Sequence, residues 1–389
     1  MRTQVGIVGA GPAGLLLAQM LHKAGIDSVI VEAKDQTYVM ERVRAGVLEQ
    51  GTVDTLREAG VGARMDAERM EQDGMIFGFG GENHFIDVKG LTGGRTVSVY
   101  GQQAVVRDLI AAREVYGAVM WNCEVEALSD LETERPKLHF TQDGEQKILE
   151  CDYIAGADGF WGICRRMIPH AKTYDFTYPY SWLGILAQAR PASEKIIYAA
   201  HEDGFSLLSM RSPEVSRLYL QCGNDDDIAN WPDGKIWDEL DRRLGQGSGF
   251  AVNRGPVLQK GIAPLRSFVC QTMRHGRLLL AGDAAHIVPP TGAKGLNLAV
   301  ADVRVLAAAL IEALKQNSTT LLDRYEAICL ARVWRIERFS WWVTTTFHRD
   351  PRQGPFEARL RRATLDSLVS SRALATSFAE VFAGLPFAV

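Results

Sequence analysis

The chain has 389 residues, and its 43 lysines and arginines stand against 47 aspartates and glutamates, a formal net charge of −4. This balance excludes a broad basic surface for nucleic acid or for an anionic membrane. No apolar run is long enough to span a bilayer, and the length suits about two or three domains with substantial cores.

The first predicted elements lie at the N-terminus. The segment Gln4–Gly14, QVGIVGAGPAG, predicts a buried strand, a tight turn and a helix that continues through Leu15–Leu21. Gly9, Gly11 and Gly14 form the pattern G-x-G-x-x-G, in which the glycines permit the turn, the approach of a pyrophosphate and close helix packing, respectively. Free N–H groups at the helix start suit phosphate oxygens.

An acidic residue follows at the spacing that a dinucleotide site requires. A second strand is expected over Ser28–Glu32, and Glu32 lies 18 residues after Gly14. An acid at about this distance binds a ribose hydroxyl. The sequence therefore predicts that an adenine dinucleotide binds here. Arg42 and Arg44 follow in a polar segment, and guanidinium groups beside such a fold suit phosphate contact.

The middle of the chain predicts a meander of short strands and a second sheet. One amphipathic helix is expected over Gln103–Tyr116, and Tyr153–Gly159 reads as an apolar strand that ends in Asp-Gly. Alternating apolar and polar residues in the last two of the strands named below predict half-buried antiparallel strands. The expected strands are Met75–Phe79, His84–Val88, Thr96–Tyr100, Val119–Cys123, Lys137–Thr141, Lys147–Asp152, Tyr180–Ala187, Ile196–Ala200, Gly204–Arg211 and Ser216–Cys222.

A third motif begins with the apolar strand Arg277–Ala281. Gly282-Asp283 follows it, then the turn Pro289–Gly292, and a helix is expected from about Lys294. Asp283 stands at the carboxyl end of a strand, where parallel α/β sheets bind ligands. The rest of the chain is expected to be helical, over Leu298–Leu314, Leu321–His348 and Phe356–Phe382.

The six cysteines are scattered without a C-x-x-C pair, which predicts buried free thiols in a reducing cytoplasm. The first strand starts by Gln4 and leaves no room for a signal peptide, so a cytoplasmic location is expected. No cluster of metal-ligating residues stands out, and no metal is expected.

The three motifs in this order resemble the single-component flavoprotein aromatic hydroxylases, above all the members that act on 4-hydroxybenzoate. Six segments carry this narrower resemblance, namely RVRAGVLEQ at 42–50, CDYIAGADG at 151–159, IAPLRSFV at 262–269, GDAAHIVPPTGAKGLNL at 282–298, RFSWW at 338–342 and GLP at 384–386. The resemblance implies a mixed α/β (α+β) fold. A Rossmann-like FAD-binding domain (1–73, 97–180 and 266–300) would interleave with an antiparallel-sheet substrate domain (74–96 and 181–265), followed by a helical interface region (301–389) and a homodimer.

The resemblance also implies the cofactors, a bound FAD and NADPH or NADH as the hydride donor. The FAD contacts that it implies are Gly9, Gly11, Gly14, Glu32, Arg42, Arg44, Gln102, Asp158, Arg217, Asp283, Leu296 and Asn297. The nicotinamide contacts are Lys34, Tyr38 and Arg266. NADPH-selective members tend to carry an arginine after the ribose acid, where this chain has Ala33, and Trp161 replaces a histidine. NADH, or both donors, therefore stays open.

The implied reaction adds one oxygen atom of O2 to the ring ortho to its hydroxyl, through a flavin C4a-hydroperoxide. The resemblance makes Arg211 the clamp for the substrate carboxylate, with Ser209 and Tyr219 beside it. Tyr198 would meet the phenol oxygen. Pro290 and Thr291 would place a backbone carbonyl near the reacting edge of the ring, and the apolar walls would be Trp182, Ile196, Leu207 and Val47.

This chain departs from the resembled pattern at the proton relay. Phe382 stands where a second catalytic tyrosine is usual, and Gln72 stands at the position of a histidine. Phenylalanine cannot exchange a proton, so 3,4-dihydroxybenzoate (giving gallate) or an aminobenzoate are alternative substrates. A flavin oxidoreductase that inserts no oxygen, or a non-catalytic flavin-binding protein, are alternatives of another class.

Overall fold

The computed structural model describes residues 1–42, 46–117, 119–245 and 250–388. The strands are β1 Val5–Val8, β2 Ser28–Val31, β3 Val47–Glu49, β4 Met70–Gln72, β5 Met75–Phe79, β6 Glu82–Ile86, β7 Val97–Val99, β8 Val119–Met120, β9 Glu124–Ser129, β10 Lys137–Gln142, β11 Glu145–Glu150, β12 Tyr153–Gly156, β13 Thr173–Ala187, β14 Ile196–His201, β15 Gly204–Ser212, β16 Val215–Cys222, β17 Val257–Cys270, β18 Arg274–His275, β19 Leu278–Leu280 and β20 His286–Ile287. The helices are α1 Pro12–Lys23, α2 Gln36–Glu41, α3 Gln50–Glu58, α4 Ala63–Glu68, α5 Val88–Leu91, α6 Gln102–Tyr116, α7 Asp233–Leu240, α8 Gly295–Gln316, α9 Thr320–Phe347, α10 Pro355–Ser370 and α11 Arg372–Ala383.

A mostly parallel sheet with the order β18-β19-β12-β1-β2-β8 forms the first layer. Strand β1 pairs in parallel with β2 on one side and with β12 on the other. All four residues of β1 are buried, because helices cover a parallel sheet on both faces and its central strands are continuously apolar. Helices α1 and α8 pack together against this core.

A second, larger sheet has the order β20-β17-β13-β16-β15-β14-β5-β6. Its strands pair antiparallel except for β14 with β5, which are parallel. One of its faces packs against α7 through an apolar cluster that includes Leu183, Ile197, Leu208 and Ile236. Since successive side chains of a strand point to opposite faces of the sheet, the strand residues that alternate with Leu183, Ile197 and Leu208 project to the face away from α7.

Two small sheets complete the described part of the fold, β11-β10-β9 and β3-β7-β4. The long strands β13 and β17 run through the domain boundaries that the resemblance implies near residues 180 and 266, and the division into domains stays a proposal. The mixed α/β fold with helices at the C-terminus is confirmed. Within the described ranges, no helix combines the length and the apolar character needed to cross a membrane.

The predicted single helix Phe356–Phe382 is wrong, because the structure has two helices there. Helix α10 ends at Ser370, and Ser371 has an extended backbone and accepts a hydrogen bond from the Leu374 N–H as the N-cap of α11. Serine is a preferred N-cap residue because its hydroxyl satisfies an otherwise free N–H. Neither α7 nor the full length of β17 is predicted from the sequence.

The six cysteines are all buried as free thiols. Burial raises the pKa of the thiols, for Cys151 to about 12 and for Cys222 to about 11. The prediction of buried free thiols is confirmed.

Candidate active site

The glycine pattern builds a cradle at the start of α1. Gly9 has a φ of +103°, and a Cβ there would lie 2.5 Å from the Ala157 carbonyl oxygen. A Cβ at Gly14 would lie 2.0 Å from the Gly9 carbonyl oxygen, so these two positions accept no side chain. Gly11 differs, because its Cβ would meet nothing within 4 Å. Open space in front of a helix N-terminus is what a pyrophosphate needs.

Glu32 closes this cradle at the end of β2. One carboxylate oxygen accepts the Ala10 N–H at 2.7 Å, and the other accepts the Lys34 N–H at 2.9 Å. These backbone donors fix the carboxylate beside the glycine turn. Each oxygen keeps a further lone pair for a ribose hydroxyl.

The other predicted FAD contacts lie on separate elements. Asp158 follows β12, and its Oδ2 accepts the Cys164 N–H at 2.8 Å, while its buried Oδ1 has no hydrogen-bond partner among the described residues. Burial raises the pKa of Asp158. Gln102 begins α6, and Arg42 caps the end of α2. Asp283 is exposed after β19. Arg44 lies outside the described residues.

Leu296 and Asn297 lie in the first turn of α8, where the N–H groups have no partner within the helix. The Asn297 side chain is fully engaged. Its oxygen accepts the Glu49 N–H at 2.9 Å and the Thr52 hydroxyl at 2.8 Å, and its nitrogen donates to the Val47 carbonyl at 2.9 Å. The side chain therefore ties α8 to β3, which leaves only the backbone of Asn297 for the cofactor.

Most of the residues predicted to bind substrate share one face of the larger sheet, whereas Val47 lies on β3 and Thr291 lies in the turn after β20. Tyr198 pairs with Leu207, Leu207 with Tyr219, and Ser209 with Arg217. Residues opposite one another, and residues two apart, point to the same face. A cavity on this face is lined by Gly46, Val47, Val99, Trp182, Ile196, Tyr198, Leu207, Ser209, Arg211, Arg217, Tyr219, Pro290, Ala293 and Phe382.

The cavity has a cationic end. Arg211 lies two residues after Ser209, at an irregularity in the pairing of β15 with β16. Burial lowers the pKa of the Arg211 guanidinium, and the positive charge of Arg217 lowers it further. Tyr219 acts in the opposite direction and raises this pKa. The Arg217 Nε donates to the Tyr219 hydroxyl at 3.0 Å. Two guanidinium groups at one cavity favour an anionic ligand. Arg217, predicted for the cofactor, thus lines the same cavity as Arg211.

The opposite end of the cavity is uncharged. Tyr198 is buried, and its hydroxyl donates to the Thr291 carbonyl, next to Pro290. Burial raises the pKa of Tyr198 well above its ordinary value. Phe382 stacks on Phe378, with ring centroids 5.5 Å apart and an interplanar angle of 14°. Gln72 is buried in β4, and its Oε1 has no hydrogen-bond partner in the described part of the chain.

The predicted nicotinamide contacts are on the surface. Lys34 is exposed and Tyr38 is half-exposed, close after β2. Arg266 on β17 forms an ion pair with Asp175 at 3.0 Å and lies over the Phe160 ring. Trp161 is 84% exposed beside Phe160, where an aromatic face is available to a ligand.

A buried ion pair that is not predicted from the sequence lies behind Phe382. Lys294 Nζ lies 2.7 Å from Glu49 Oε1, with the two side chains 2% and 3% exposed, and it also donates to the Phe382 carbonyl at 2.9 Å. Burial lowers the pKa of Lys294, which Glu49 opposes. The signal in the sequence is a lysine within the otherwise uncharged run Pro289–Leu298.

Comparison with known proteins places this geometry in a family. A family model described as "FAD binding domain" matches residues 2–340. The chain is 45% identical over 395 residues to the p-hydroxybenzoate hydroxylase of Acinetobacter baylyi, which covers 100% of this chain and 97% of that relative. The chain belongs to the FAD-dependent aromatic hydroxylases of the p-hydroxybenzoate hydroxylase type. It is therefore a flavoprotein aromatic monooxygenase, and the FAD prediction is confirmed.

More distant proteins share part of the sequence or the fold. The chain is 25% identical over 337 residues to a probable NADH-specific resorcinol 4-hydroxylase of Rhodococcus jostii, covering 83% of this chain and 61% of that relative. The fold superimposes on the p-nitrophenol 4-monooxygenase PnpA of Pseudomonas putida DLL-E4 with a TM-score of 0.84, at 19% identity and 99% coverage of both chains. The open space at Gly11 and the unpartnered Asp158 oxygen fit a bound FAD.

The cradle leads to the first testable expectation. Gly11→Ala places a methyl group in the open space, so we expect at least about tenfold weaker FAD binding with an unchanged melting temperature of the apoprotein. Gly14→Ala forces a clash with the backbone and lowers that melting temperature. Gly234→Ala, also in open space but on α7, is the matched control. FAD titration followed by fluorescence quenching measures the affinity, and unaltered affinity in Gly11→Ala contradicts the cradle.

Proposed function

We propose that the enzyme hydroxylates 4-hydroxybenzoate ortho to its hydroxyl group, giving 3,4-dihydroxybenzoate, with NAD(P)H and O2 as co-substrates. The observation that carries this proposal is a single cavity with the partly buried Arg211 at one end and the buried Tyr198 at the other. Bound FAD supplies the redox chemistry, accepting hydride from the nicotinamide and activating O2. The residues of this chain bind the ring, orient it and control its proton.

The spacing along the sheet supports a ring with two polar ends. Tyr198 is paired with Leu207, and Arg211 lies four residues further along β15. At about 3.3 Å per residue, their α-carbons are roughly 13 Å apart along the strand. Both side chains line the same cavity, and a benzoate with a para hydroxyl group has one polar group for each of them. The guanidinium holds the carboxylate with two parallel hydrogen bonds.

The Tyr198 hydroxyl controls the protonation of the substrate. A tyrosine hydroxyl has one proton to donate, and that proton goes to the Thr291 carbonyl in this structure. A bound phenolate competes with this carbonyl for the same proton. A hydrogen bond donated to the phenolate favours the ionised form and lowers the pKa of the substrate phenol. The ionised ring is more nucleophilic at the ortho carbon, which is the carbon that receives oxygen.

Buried residues limit the access of water at the reacting end of the cavity. Tyr198, Thr291 and Phe382 are all buried, while Ala293 is partly buried and Pro290 is exposed at the rim. A dry site limits the loss of reducing equivalents as hydrogen peroxide. Orientation by the Arg211 end presents one ring edge to the oxidant.

Phe382 favours a second candidate substrate. Its ring lines the cavity and offers no hydrogen bond at the reacting edge. Space that a tyrosine hydroxyl would occupy is left for a hydroxyl group on the ring itself. A 3,4-dihydroxybenzoate that gives gallate is therefore the alternative, with an aminobenzoate as a further one.

The residues after Glu32 bear on the choice between NADPH and NADH as the hydride donor. A 2′-phosphate needs cationic partners, and this chain has Ala33 next to Glu32 and an exposed Lys34 after it. We infer that the enzyme has no strict preference for NADPH and accepts NADH. The name of the Rhodococcus relative, which is described as NADH-specific, supports this inference.

A panel of ring substrates tests the proposal. Purified holoenzyme is given 4-hydroxybenzoate, 3,4-dihydroxybenzoate or 4-aminobenzoate with NADH or NADPH, and products are measured by chromatography against the nicotinamide consumed. We expect the highest product yield per nicotinamide with 4-hydroxybenzoate, and kcat/KM for NADH at least equal to that for NADPH. Gallate as the main high-yield product supports the second candidate, and no hydroxylated product from any of the rings contradicts both.

Arg211→Lys tests the carboxylate end. Lysine keeps the charge but loses the planar fork, so we expect a loss of benzoate affinity of about 2–4 kcal/mol, or roughly 30- to 1,000-fold in Kd. Equilibrium titration of the flavin absorbance with substrate measures it. Arg190→Lys, at an exposed position, is the control. A wild-type Kd in Arg211→Lys contradicts the clamp.

Tyr198→Phe tests the phenol end. The variant keeps the ring but has no proton to donate, so we expect substrate binding and reduction by the nicotinamide to persist while hydroxylated product gives way to hydrogen peroxide. Oxygen uptake, peroxide and product are measured in the same reaction. Tyr174→Phe, at a surface tyrosine, should behave as wild type. An undiminished product yield in Tyr198→Phe disproves the role.

A further inference from the structure

His348 is a buried histidine whose two ring nitrogens have fixed and different tasks. Its Nδ1 lies 2.8 Å from the Thr344 carbonyl, and its Nε2 lies 2.5 Å from the indole nitrogen of Trp182. A carbonyl can only accept, and an indole N–H can only donate. The ring is therefore neutral, with its proton on Nδ1 and the lone pair of Nε2 accepting the Trp182 N–H. Burial lowers the pKa of His348 to about 3, which keeps the ring neutral at neutral pH.

Aromatic rings hold His348 in this orientation. The Tyr180 ring stacks on it with centroids 4.8 Å apart and an angle of 9°, and Phe205 lies 4.4 Å away at 28°. The imidazole is 1% exposed. The Trp182 indole, which lines the substrate cavity, therefore has one buried acceptor with a rigid position.

Thr344 connects His348 to the opposite side of the cavity. Its carbonyl receives the His348 proton, and its hydroxyl is hydrogen-bonded at 2.9 Å to the hydroxyl of Thr291. Thr291 belongs to the turn after Pro289, and its carbonyl accepts the Tyr198 hydroxyl. The polar chain thus runs from Trp182 through His348, Thr344 and Thr291 to Tyr198, entirely among buried groups.

We propose that His348 and Thr344, neither of which lines the cavity, are positioning residues that hold the Trp182 wall and the Thr291 turn at a fixed separation. Thr344 lies in the last turn of α9 and His348 directly follows the helix, so one helix end sets the width of the cavity between its apolar wall and its reacting edge. The proposal rests on the proposed function only where it predicts the effect on the aromatic substrate. The geometry of Trp182 is predicted independently of any reaction.

The variant His348→Phe separates the hydrogen bonds from the stacking. It keeps an aromatic ring between Tyr180 and Phe205 but leaves the Trp182 N–H and the Thr344 carbonyl without their partner. A buried polar group without a partner is costly, so both groups move to find water. His348→Gln is the complementary variant, because its side-chain oxygen can accept from Trp182 while the ring is lost.

The structural test reads the Trp182 indole directly. In holoenzyme with 15N-labelled tryptophan, the Trp182 indole signal is identified by its loss in Trp182→Phe. We expect it to shift and to exchange faster with water in His348→Phe, and to return toward its wild-type behaviour in His348→Gln. An unchanged signal in His348→Phe overturns the proposal, whichever substrate the enzyme uses.

The kinetic test uses matched threonine variants on the same helix. Thr344→Val removes the hydroxyl that contacts Thr291, Thr344→Ser keeps it, and Thr345→Val is the control, because the Thr345 hydroxyl bonds only within α9. We expect about tenfold higher KM for the ring substrate and a lower product yield per nicotinamide in His348→Phe and Thr344→Val. Thr344→Ser should restore both, and FAD content should stay at the wild-type level.

The outcomes distinguish this proposal from the proposed function. If 4-hydroxybenzoate is not hydroxylated by the wild type, the kinetic test uses the ring that the substrate panel identifies, and the indole test stands unaltered. Wild-type KM and yield in both His348→Phe and Thr344→Val overturn the positioning role. Equal changes of KM and product yield in Thr344→Val and Thr345→Val also overturn the positioning role, because they show a general effect on α9. If His348→Phe does not fold, the Gln and threonine variants decide.

Discussion

The buried ion pair between Lys294 and Glu49 is the constraint on which both ligand sites depend. Each charge loses its hydration on burial, and either one left alone would be strongly destabilising. Glu49 also lies 3.3 Å from Arg332 on α9, so β3, α8 and α9 meet at one carboxylate. The ion pair fixes the start of α8, which faces the predicted cofactor. Lys294 also donates a hydrogen bond to the Phe382 carbonyl and so fixes it behind the cavity. The two sites cannot move apart without separating these charges.

Local patterns in the sequence predict what depends on neighbours along the chain. Gly9 and Gly14 are predictable because a turn and a close backbone approach demand glycine. The alternation in β15 and β16 predicts which of their residues share the face of the cavity, as Tyr219 and Ser209 do. The resemblance adds the order of the three motifs, which one pattern alone does not contain.

Contacts between distant parts of the chain could not be predicted in this way. Glu49 and Lys294 are 245 residues apart, and Trp182 and His348 are 166 apart. Each of these side chains has an ordinary local setting, and only the packing of β3 on α8, or of β13 on the end of α9, brings the partners together. The break at Ser371 was missed for another reason, since its hydroxyl competes with the helix for a backbone N–H.

The buried thiols have a consequence for the lifetime of the enzyme. An oxygenase of this kind is exposed to hydrogen peroxide whenever a turnover fails, and the thiolate is the form that peroxide attacks. All six cysteines lie away from solvent, and burial disfavours their thiolates. The fold thereby protects the sulfur atoms from attack by peroxide. Oxidation by peroxide then begins at side chains other than cysteine. Among the aromatic side chains that the structure describes, the Trp161 indole is the most exposed.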